Sequence, residues 1–209
     1  MNISQNTLSN ILDNCYDVAL KGLPKTKSCY DFASEYTQKY SSTEEAIDKF
    51  IKWQIRKCTT SGFLTNLGGV VTLPVAIPAN LTSVWYIQLR MIATIATMSG
   101  YNPSDDEVQT LAYLCLTGTS IAQICKEAGI QVGQKITVKV IEKIPTEFIY
   151  KINRIAMQRL ITKFGTTGAI NLGKMVPLVG GTIGGTFDYI STKAIAAKAK
   201  NTFFLDIID

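Results

Sequence analysis

Apolar side chains recur every three or four residues along much of this chain, the spacing that predicts amphipathic α-helices. Residues 7–20 form the first such stretch, and residues 29–40 carry an aromatic stripe with the same period. Ser42 is followed three residues later by Glu45, a capping box that predicts the start of a third helix. Residues 7–60 are therefore predicted to form a group of N-terminal helices.

The middle of the chain, residues 58–104, is almost free of charge, and Arg90 is its only ionisable charge. Two glycines and two prolines interrupt the first half of this stretch. Because proline removes a backbone donor and clashes with the preceding turn, one straight helix is not expected there. The pattern predicts a broken apolar hairpin over residues 62–80, followed by a buried helix over residues 80–99.

A second capping box, Ser104 with Glu107, predicts the next helix start. The three acidic residues at 105–107 suit the first turn of a helix, which explains them better than metal binding or acid–base chemistry does. The uncharged run 108–125 passes through Gly118 and is predicted to form two buried helical pieces. With the hairpin and helix before it, this run completes a predicted apolar core over residues 62–125.

Residues 134–164 have the pattern of two basic amphipathic helices separated by Pro145. Their polar faces carry Lys135, Lys139, Lys143, Lys151 and Arg154. Such helices suit an anionic membrane surface, where each basic residue is worth about 1 kcal/mol. A helical bundle with a solvated basic face is the alternative that the pattern leaves open.

Trp53 lies in the third predicted helix among Lys49, Lys52, Arg56 and Lys57. Cations near the C-terminal end of a helix complement its dipole, which explains them without any function. A tryptophan among lysines directly before an apolar stretch is also typical of an anchor at a membrane–water interface. Trp53 is therefore a candidate membrane contact.

The last third of the chain, residues 165–203, is a glycine-rich apolar segment followed by a C-terminal helix. Two overlapping GxxxG pairs, Gly180 with Gly184 and Gly181 with Gly185, predict close helix packing and permit self-association into a homo-oligomer. The glycines do not form a phosphate-binding loop, since no GK[ST] motif ends them and no GxGxxG motif is present.

Arg90 and Asp188 are each the charge of an otherwise apolar predicted helix. A lone buried charge is costly, and removing one partner of a buried pair typically costs about 3–5 kcal/mol. We therefore expect these two residues to form a buried ion pair across the core.

The chain has 209 residues, of which 46% are hydrophobic and only 18% charged, with a net charge of +5. Its positive charge is concentrated in residues 126–209, which suggests an anionic partner. We favour lipid headgroups over nucleic acid, because apolar surface is interspersed with the basic residues. Five cysteines without CxxC spacing and an N-terminus without signal-peptide features favour a reducing cytoplasm.

The sequence shows no assembled catalytic site. Histidine is absent, which removes the commonest general base and zinc ligand. Neither GxSxG nor HExxH occurs, and we assign no catalytic, cofactor-binding or metal-binding residue. Cys58, next to Lys57, is the only candidate for an activated cysteine nucleophile. We expect a protein that is not an enzyme and needs no cofactor, with a hydrolase of unknown chemistry as the least favoured possibility.

Several strings together resemble the bacterial EcsC family: GFLTNLGGVVTLPVAIPANL, YIQLRMIATIA, TKFGTTGAINLGKMVPLVGGTIGG and FDYISTK. The resemblance extends over residues 13–203, nearly the whole chain. It implies an all-helical, membrane-associated protein without recognised catalytic residues. It also implies a connection with an ABC transporter of Gram-positive bacteria.

Pattern and resemblance together predict a compact all-α fold, one helical bundle over residues 1–209 with Gly/Pro-broken apolar hairpins. The expected function is binding at the cytoplasmic leaflet of the cell membrane, as a peripheral protein, or binding to a membrane protein there. The alternative is a soluble helical module whose apolar cleft takes a lipid or a small hydrophobic ligand.

Overall fold

The structure is a computed structural model that describes residues 5–24, 26–59, 79–130, 145–164 and 183–205. These residues form α-helices and no strand, so the predicted all-α fold is confirmed. The helices are α1 (Gln5–Lys21), α2 (Cys29–Lys39), α3 (Thr43–Thr59), α4 (Ala79–Met98), α5 (Asp106–Thr117), α6 (Ile121–Glu127), α7 (Thr146–Phe164) and α8 (Ile183–Phe203).

Helix α4 lies at the centre of the fold. It packs against α1, α2, α3, α5 and α8, and nearly every side chain from Val84 to Met98 is buried. This helix matches the buried helix predicted over residues 80–99. Since a helix that is apolar on all sides must be covered on all sides, its composition explains its central position.

Local capping explains where α2 and α3 begin. The Ser28 side chain accepts from the Asp31 backbone N–H, and the Asp31 carboxylate accepts from Ser28, which completes a capping box. At α3 only half of the predicted box forms. The Ser42 Oγ accepts from the Glu45 N–H at 3.2 Å, while the Glu45 carboxylate accepts from the Ser41 hydroxyl at 3.0 Å.

The capping box predicted for α5 is wrong. The helix begins at Asp106 with Asp105 as its N-cap, and no side chain caps it. The Ser104 hydroxyl is hydrogen-bonded instead to the Tyr30 hydroxyl of α2, at 2.9 Å. A long-range contact thus occupies the group that would have capped the helix locally.

The predicted break within residues 108–125 is confirmed. Helix α5 ends at Gly118, whose φ of 71° lies in the left-handed region, and α6 begins at Ile121. Both helices are largely buried. Among the described residues no single helix has the length and apolarity to span a bilayer. Helices α5 and α6 together satisfy the same criterion of length and apolarity, but they are bent by 109° at the break between them.

Three predicted features lie wholly or mostly outside the described residues. They are the apolar hairpin up to residue 78, the first basic helix with Lys135, Lys139 and Lys143, and the glycine-rich segment 165–182 with Gly180 and Gly181. The second basic helix is confirmed as α7, Thr146–Phe164.

Gly118→Ala is expected to lower the free energy of unfolding by about 1–2 kcal/mol, because a Cβ crowds the following carbonyl in the left-handed conformation. Asparagine adopts that conformation more readily, so Gly118→Asn is the matched control and should lose less. Urea unfolding followed by circular dichroism measures both losses. Equal losses of stability in the two variants would contradict the idea that glycine is needed at position 118 for its left-handed backbone conformation.

Candidate functional site

A groove runs between α3 and α8 on the protein surface and has a volume of about 510 Å³. Its lining residues are Asp48, Ile51, Lys52, Ile55 and Arg56 from α3, with Tyr189, Lys193, Ala196, Ala197 and Lys200 from α8. On each helix these positions recur at intervals of three or four residues, so they form one continuous face. The volume lies within the range of small-molecule sites.

Ion pairs close one end of this α3–α8 groove. The Lys200 Nζ lies 2.7 Å from the Asp48 carboxylate and 3.1 Å from that of Glu44. Only 17% of the Lys200 side chain is exposed. Burial lowers the pKa of Lys200, but its hydrogen bonds to Asp48 and Glu44 outweigh this effect, and the net shift is upward. Lys200 therefore stays charged and ion-paired with the two carboxylates.

Two buried glutamines set how α3, α4 and α8 lie against each other. Gln54 of α3 donates to the Ile87 carbonyl at 3.2 Å, and Gln88 donates to the Thr192 hydroxyl of α8 at 3.1 Å. The rings of Tyr101 and Phe203, near the C-terminal ends of α4 and α8, lie 5.9 Å apart. Helices α4 and α8 are thus parallel.

Helix α3 runs antiparallel to α8. The Asp48–Lys200 pair joins the start of α3 to the last turns of α8, whereas Arg56 and Tyr189 line the other end of the groove. The C-terminus of α3 and the N-termini of α4 and α8 therefore lie at the same end of the protein, which we call the convergent end.

The convergent end carries exposed cations and exposed apolar side chains. Lys52, Arg56 and Lys57 of α3 and Lys193 of α8 are exposed there. Tyr189 is 41% exposed and Ile190 is 61% exposed. Mixed basic and apolar exposure of this kind is typical of a surface that meets an anionic membrane or another anionic, partly apolar partner.

Trp53 lies beside this surface and is half-buried. Its ring centroid is 5.1 Å from that of Phe32 and 5.9 Å from that of Phe50, so part of the ring belongs to the core. The Nζ of Lys57, which is exposed, lies 5.9 Å from the ring centroid. The membrane role predicted for Trp53 stays a prediction.

Arg90 is 2% exposed in the interior of the fold. Its guanidinium carbon lies 5.1 Å from the centroid of the Phe32 ring and 5.0 Å from that of the Tyr86 ring, and its Nη1 donates to the Tyr86 hydroxyl at 3.1 Å. A planar guanidinium stacks well on aromatic faces and is more weakly hydrated than an ammonium. The aromatic surroundings thus reduce the cost of burying this charge.

The predicted pairing of Arg90 with Asp188 stays a prediction, because the side chain of Asp188 lies outside the described residues. Asp188 itself belongs to α8, and Gln88 is the α4 residue that bonds to α8. The Arg90 side chain extends along α4 towards Tyr86, and so towards the N-terminal end of α4. Asp188 lies near the N-terminal end of the parallel helix α8.

A second groove, of about 550 Å³, lies between α1, α5 and α7 and includes the predicted membrane contact Arg154. The Tyr113 hydroxyl donates to Asp13 Oδ1 at 2.6 Å, and Gln109 Nε2 donates to the same oxygen at 3.2 Å. Burial and the bond to Asp13 raise the pKa of Tyr113 far above its usual value, so this hydroxyl stays protonated. The network ties α1 to α5 rather than supplying a base.

The other predicted contact on α7 is Lys151, which is exposed and lies 4.7 Å above the Phe148 ring centroid. Tyr150 beside it is 71% exposed. Helix α7 packs on α1, α5 and α6. Lys151 and Arg154 therefore belong to a different surface from the α3–α8 groove.

Cysteine chemistry is suppressed at the four cysteines whose side chains are described. Cys15, Cys29, Cys115 and Cys125 are buried and form no disulfide. Burial raises the pKa of the Cys15 and Cys29 thiols to about 12 and that of the Cys115 and Cys125 thiols to about 11. None of these four is an activated nucleophile.

The described residues contain no group of three or more acidic or cysteine side chains arranged to hold a metal ion. The close packing predicted for the GxxxG pairs stays a prediction. Gly184 and Gly185 lie in the first turn of α8, but their packing contacts lie outside the part of the chain that the structure describes.

No signal in the sequence marks Ile51, Ile55, Tyr189, Ile190 or Lys193 as site residues. Each has an ordinary amphipathic context in the sequence. Only the antiparallel packing of α3 on α8 brings Ile51 and Ile55 together with Tyr189 and Lys193. The Lys200–Asp48 contact, which fixes that packing, joins residues 152 positions apart. No local signal could have revealed it.

This chain belongs to the EcsC protein family, whose family model matches residues 4–205. Searches of curated proteins and of solved structures returned no match. The resemblance seen in the sequence is therefore confirmed at the level of the family.

If Arg90 and Asp188 form the predicted buried ion pair, Arg90→Met alone should cost about 3–5 kcal/mol of unfolding free energy, because it removes one partner of that pair. Arg90→Met combined with Asp188→Leu should recover part of that loss. Tyr86→Phe is the control, since it removes only the hydroxyl that accepts from Arg90. Urea unfolding measures all three, and a double variant no more stable than Arg90→Met would contradict the pairing.

The four buried thiols are expected to resist alkylation by iodoacetamide at pH 8 in the native protein and to react in urea. Since their folded pKa values exceed the ordinary 9.0, the unfolded state loses these protons first as pH rises. Stability should therefore be unaffected by these groups below about pH 9 and fall between pH 9 and 12. Mass mapping of labelled peptides identifies each thiol, and rapid native labelling at any of the four would contradict its burial.

Proposed function

We propose that this member of the EcsC family is a non-enzymatic protein that binds at the cytoplasmic leaflet of a membrane, as a peripheral protein. The bound surface is either the anionic leaflet itself or a membrane protein within it. An ABC transporter is one such partner, as the family resemblance implies.

The convergent end carries this proposal. Residues 60–78, which connect α3 to α4, contain no charged residue, and residues 165–182, which connect α7 to α8, contain only Lys174. The helix ends that these segments join at α3, α4 and α8 all lie at the convergent end. Both ends of the first segment and one end of the second therefore attach to the fold at the convergent end, beside exposed cations.

In this proposal the cations attract the protein to the membrane surface, and the apolar side chains then hold it there. Lys52, Arg56, Lys57 and Lys193 would draw the convergent end to an anionic surface, each contributing about 1 kcal/mol. Exposed Ile190 and Tyr189, together with the two apolar segments, would then supply contacts that salt does not screen. Lys151 and Arg154 on α7, with Lys135, Lys139 and Lys143, remain proposed as a second basic contact.

A soluble module that binds a lipid or a small hydrophobic ligand is the second candidate function. The α3–α8 groove favours it, because its volume of about 510 Å³ and its apolar floor suit one such ligand. Nucleic acid is not a proposed partner, and self-association through the GxxxG pairs remains part of the proposal.

Liposome flotation tests the membrane proposal. The protein is expected to float with phosphatidylcholine–phosphatidylglycerol vesicles but weakly with phosphatidylcholine alone, and to stay bound at high salt. Ile190→Asp should weaken partitioning at least about tenfold, since burial of an isoleucine is worth about 1.5–3 kcal/mol. Leu205→Asp is the matched control, because Leu205 is 40% exposed and follows the C-terminal end of α8, opposite the convergent end. Lys151→Glu tests the second contact.

The outcomes separate the candidates. Absence of flotation would exclude the membrane proposal and favour the soluble module. If high salt abolishes flotation, the protein binds the vesicles by electrostatic attraction alone, without apolar contacts. If Ile190→Asp floats as the wild type does, the convergent end is not the membrane contact.

A further inference from the structure

We infer that the α3–α8 groove binds one molecule of an anionic lipid, with an acyl chain along its apolar floor and the anionic headgroup beside Lys52, Arg56 and Lys193. This inference deepens the proposed function and rests on it, because the membrane would supply the ligand. The shape, the apolar floor and the charge of the groove support this ligand.

The groove has the length and volume of an extended alkyl chain. It extends along α8 from Tyr189 to Lys200, a rise of about 16 Å at 1.5 Å per residue. This length accommodates an anionic headgroup followed by an alkyl chain of medium length, and the volume of about 510 Å³ lies within the range of small-molecule sites.

The floor of the groove is apolar on both sides. Ile51 and Ile55 of α3 are half-buried, with part of each side chain accessible. Opposite them α8 presents Ala196 and Ala197, whose small side chains leave space between the helices. An acyl chain placed there would cover apolar surface that water otherwise contacts, which favours binding.

The charges of the groove select an anion. Lys52, Arg56 and Lys193 are exposed along it, and among the described lining residues Asp48 is the only acidic one. The Asp48 carboxylate lies 2.7 Å from the Lys200 Nζ and is thus neutralised at the closed end. Among the described lining residues the other charged side chains are cations, which favours a phosphate or carboxylate headgroup over a cationic amphiphile.

The position of the groove fits this ligand. Arg56, Lys193 and Tyr189 lie towards the convergent end, whereas the Asp48–Lys200 pair lies away from it. A headgroup held by the first two cations would remain at the level of the proposed membrane surface, while its chain would extend towards the closed end.

Titration calorimetry with dodecyl phosphate, below its critical micelle concentration and without any bilayer, tests the inference on the full chain. One molecule should bind per protein. Dodecyl maltoside, which is neutral, should bind at least about tenfold more weakly, and inorganic phosphate should show no binding at the same concentrations. Native mass spectrometry gives the stoichiometry.

Two pairs of variants locate the site. Ala197→Trp fills the groove and should reduce affinity at least tenfold, while Ala194→Trp, also exposed on α8 but outside the lining, should bind as the wild type does. Lys52→Gln with Arg56→Gln should reduce affinity roughly tenfold or more. Lys39→Gln with Lys49→Gln removes the same charge outside the groove and is the control. Thermal unfolding verifies that each variant is folded.

Several results would overturn the inference. They are absence of dodecyl phosphate binding, equal binding of dodecyl maltoside, or wild-type affinity in folded Ala197→Trp. A protein that floats with anionic vesicles but does not bind dodecyl phosphate would contradict the lipid site and leave the membrane proposal standing. Dodecyl phosphate binding without flotation would support the site and contradict the membrane proposal.

Discussion

The burial of α4 is the constraint on which the rest of the structure depends. A helix that is apolar around its whole circumference needs neighbours on every side, and α1, α2, α3, α5 and α8 supply them. The polar groups within α4 then determine how these neighbours are placed. Gln88 bonds to Thr192 of α8, and Arg90 stacks on Phe32 of α2. Because an unmade buried hydrogen bond costs about 1–3 kcal/mol, these contacts favour one register over others.

The α3–α8 groove is a consequence of this arrangement. Helices α3 and α8 both pack on α4, and each is held there by a buried glutamine contact. They meet closely at the Asp48–Lys200 pair, and small alanines of α8 face isoleucines of α3 along the rest of their length. A surface groove whose walls are fixed by the core is pre-organised, so a ligand would lose little binding energy in ordering it.

Local sequence signals predicted the helices well and their packing hardly at all. The break at Gly118 and the extent of α4 follow from glycine chemistry and from hydrophobic pattern, which are local. The start of α5 was misplaced because the Ser104 hydroxyl bonds to Tyr30, 74 residues away. The groove escaped prediction for the same reason, since Lys200 meets Asp48 across 152 residues of chain. Periodicity identifies which face of a helix is apolar, but it does not identify the helix that covers it.

The convergent end and the groove share the same two helices, which links the two proposals physically. Arg56 and Lys193 belong to both surfaces, so an anion held in the groove would cancel part of the positive charge that attracts a membrane. Ligand binding would then weaken the electrostatic part of membrane attachment while leaving the apolar part unchanged, since Ile190 does not line the groove. A surface of this construction would bind the membrane less strongly once it has taken up a lipid, and the coupling follows from shared cations alone, without any change of conformation.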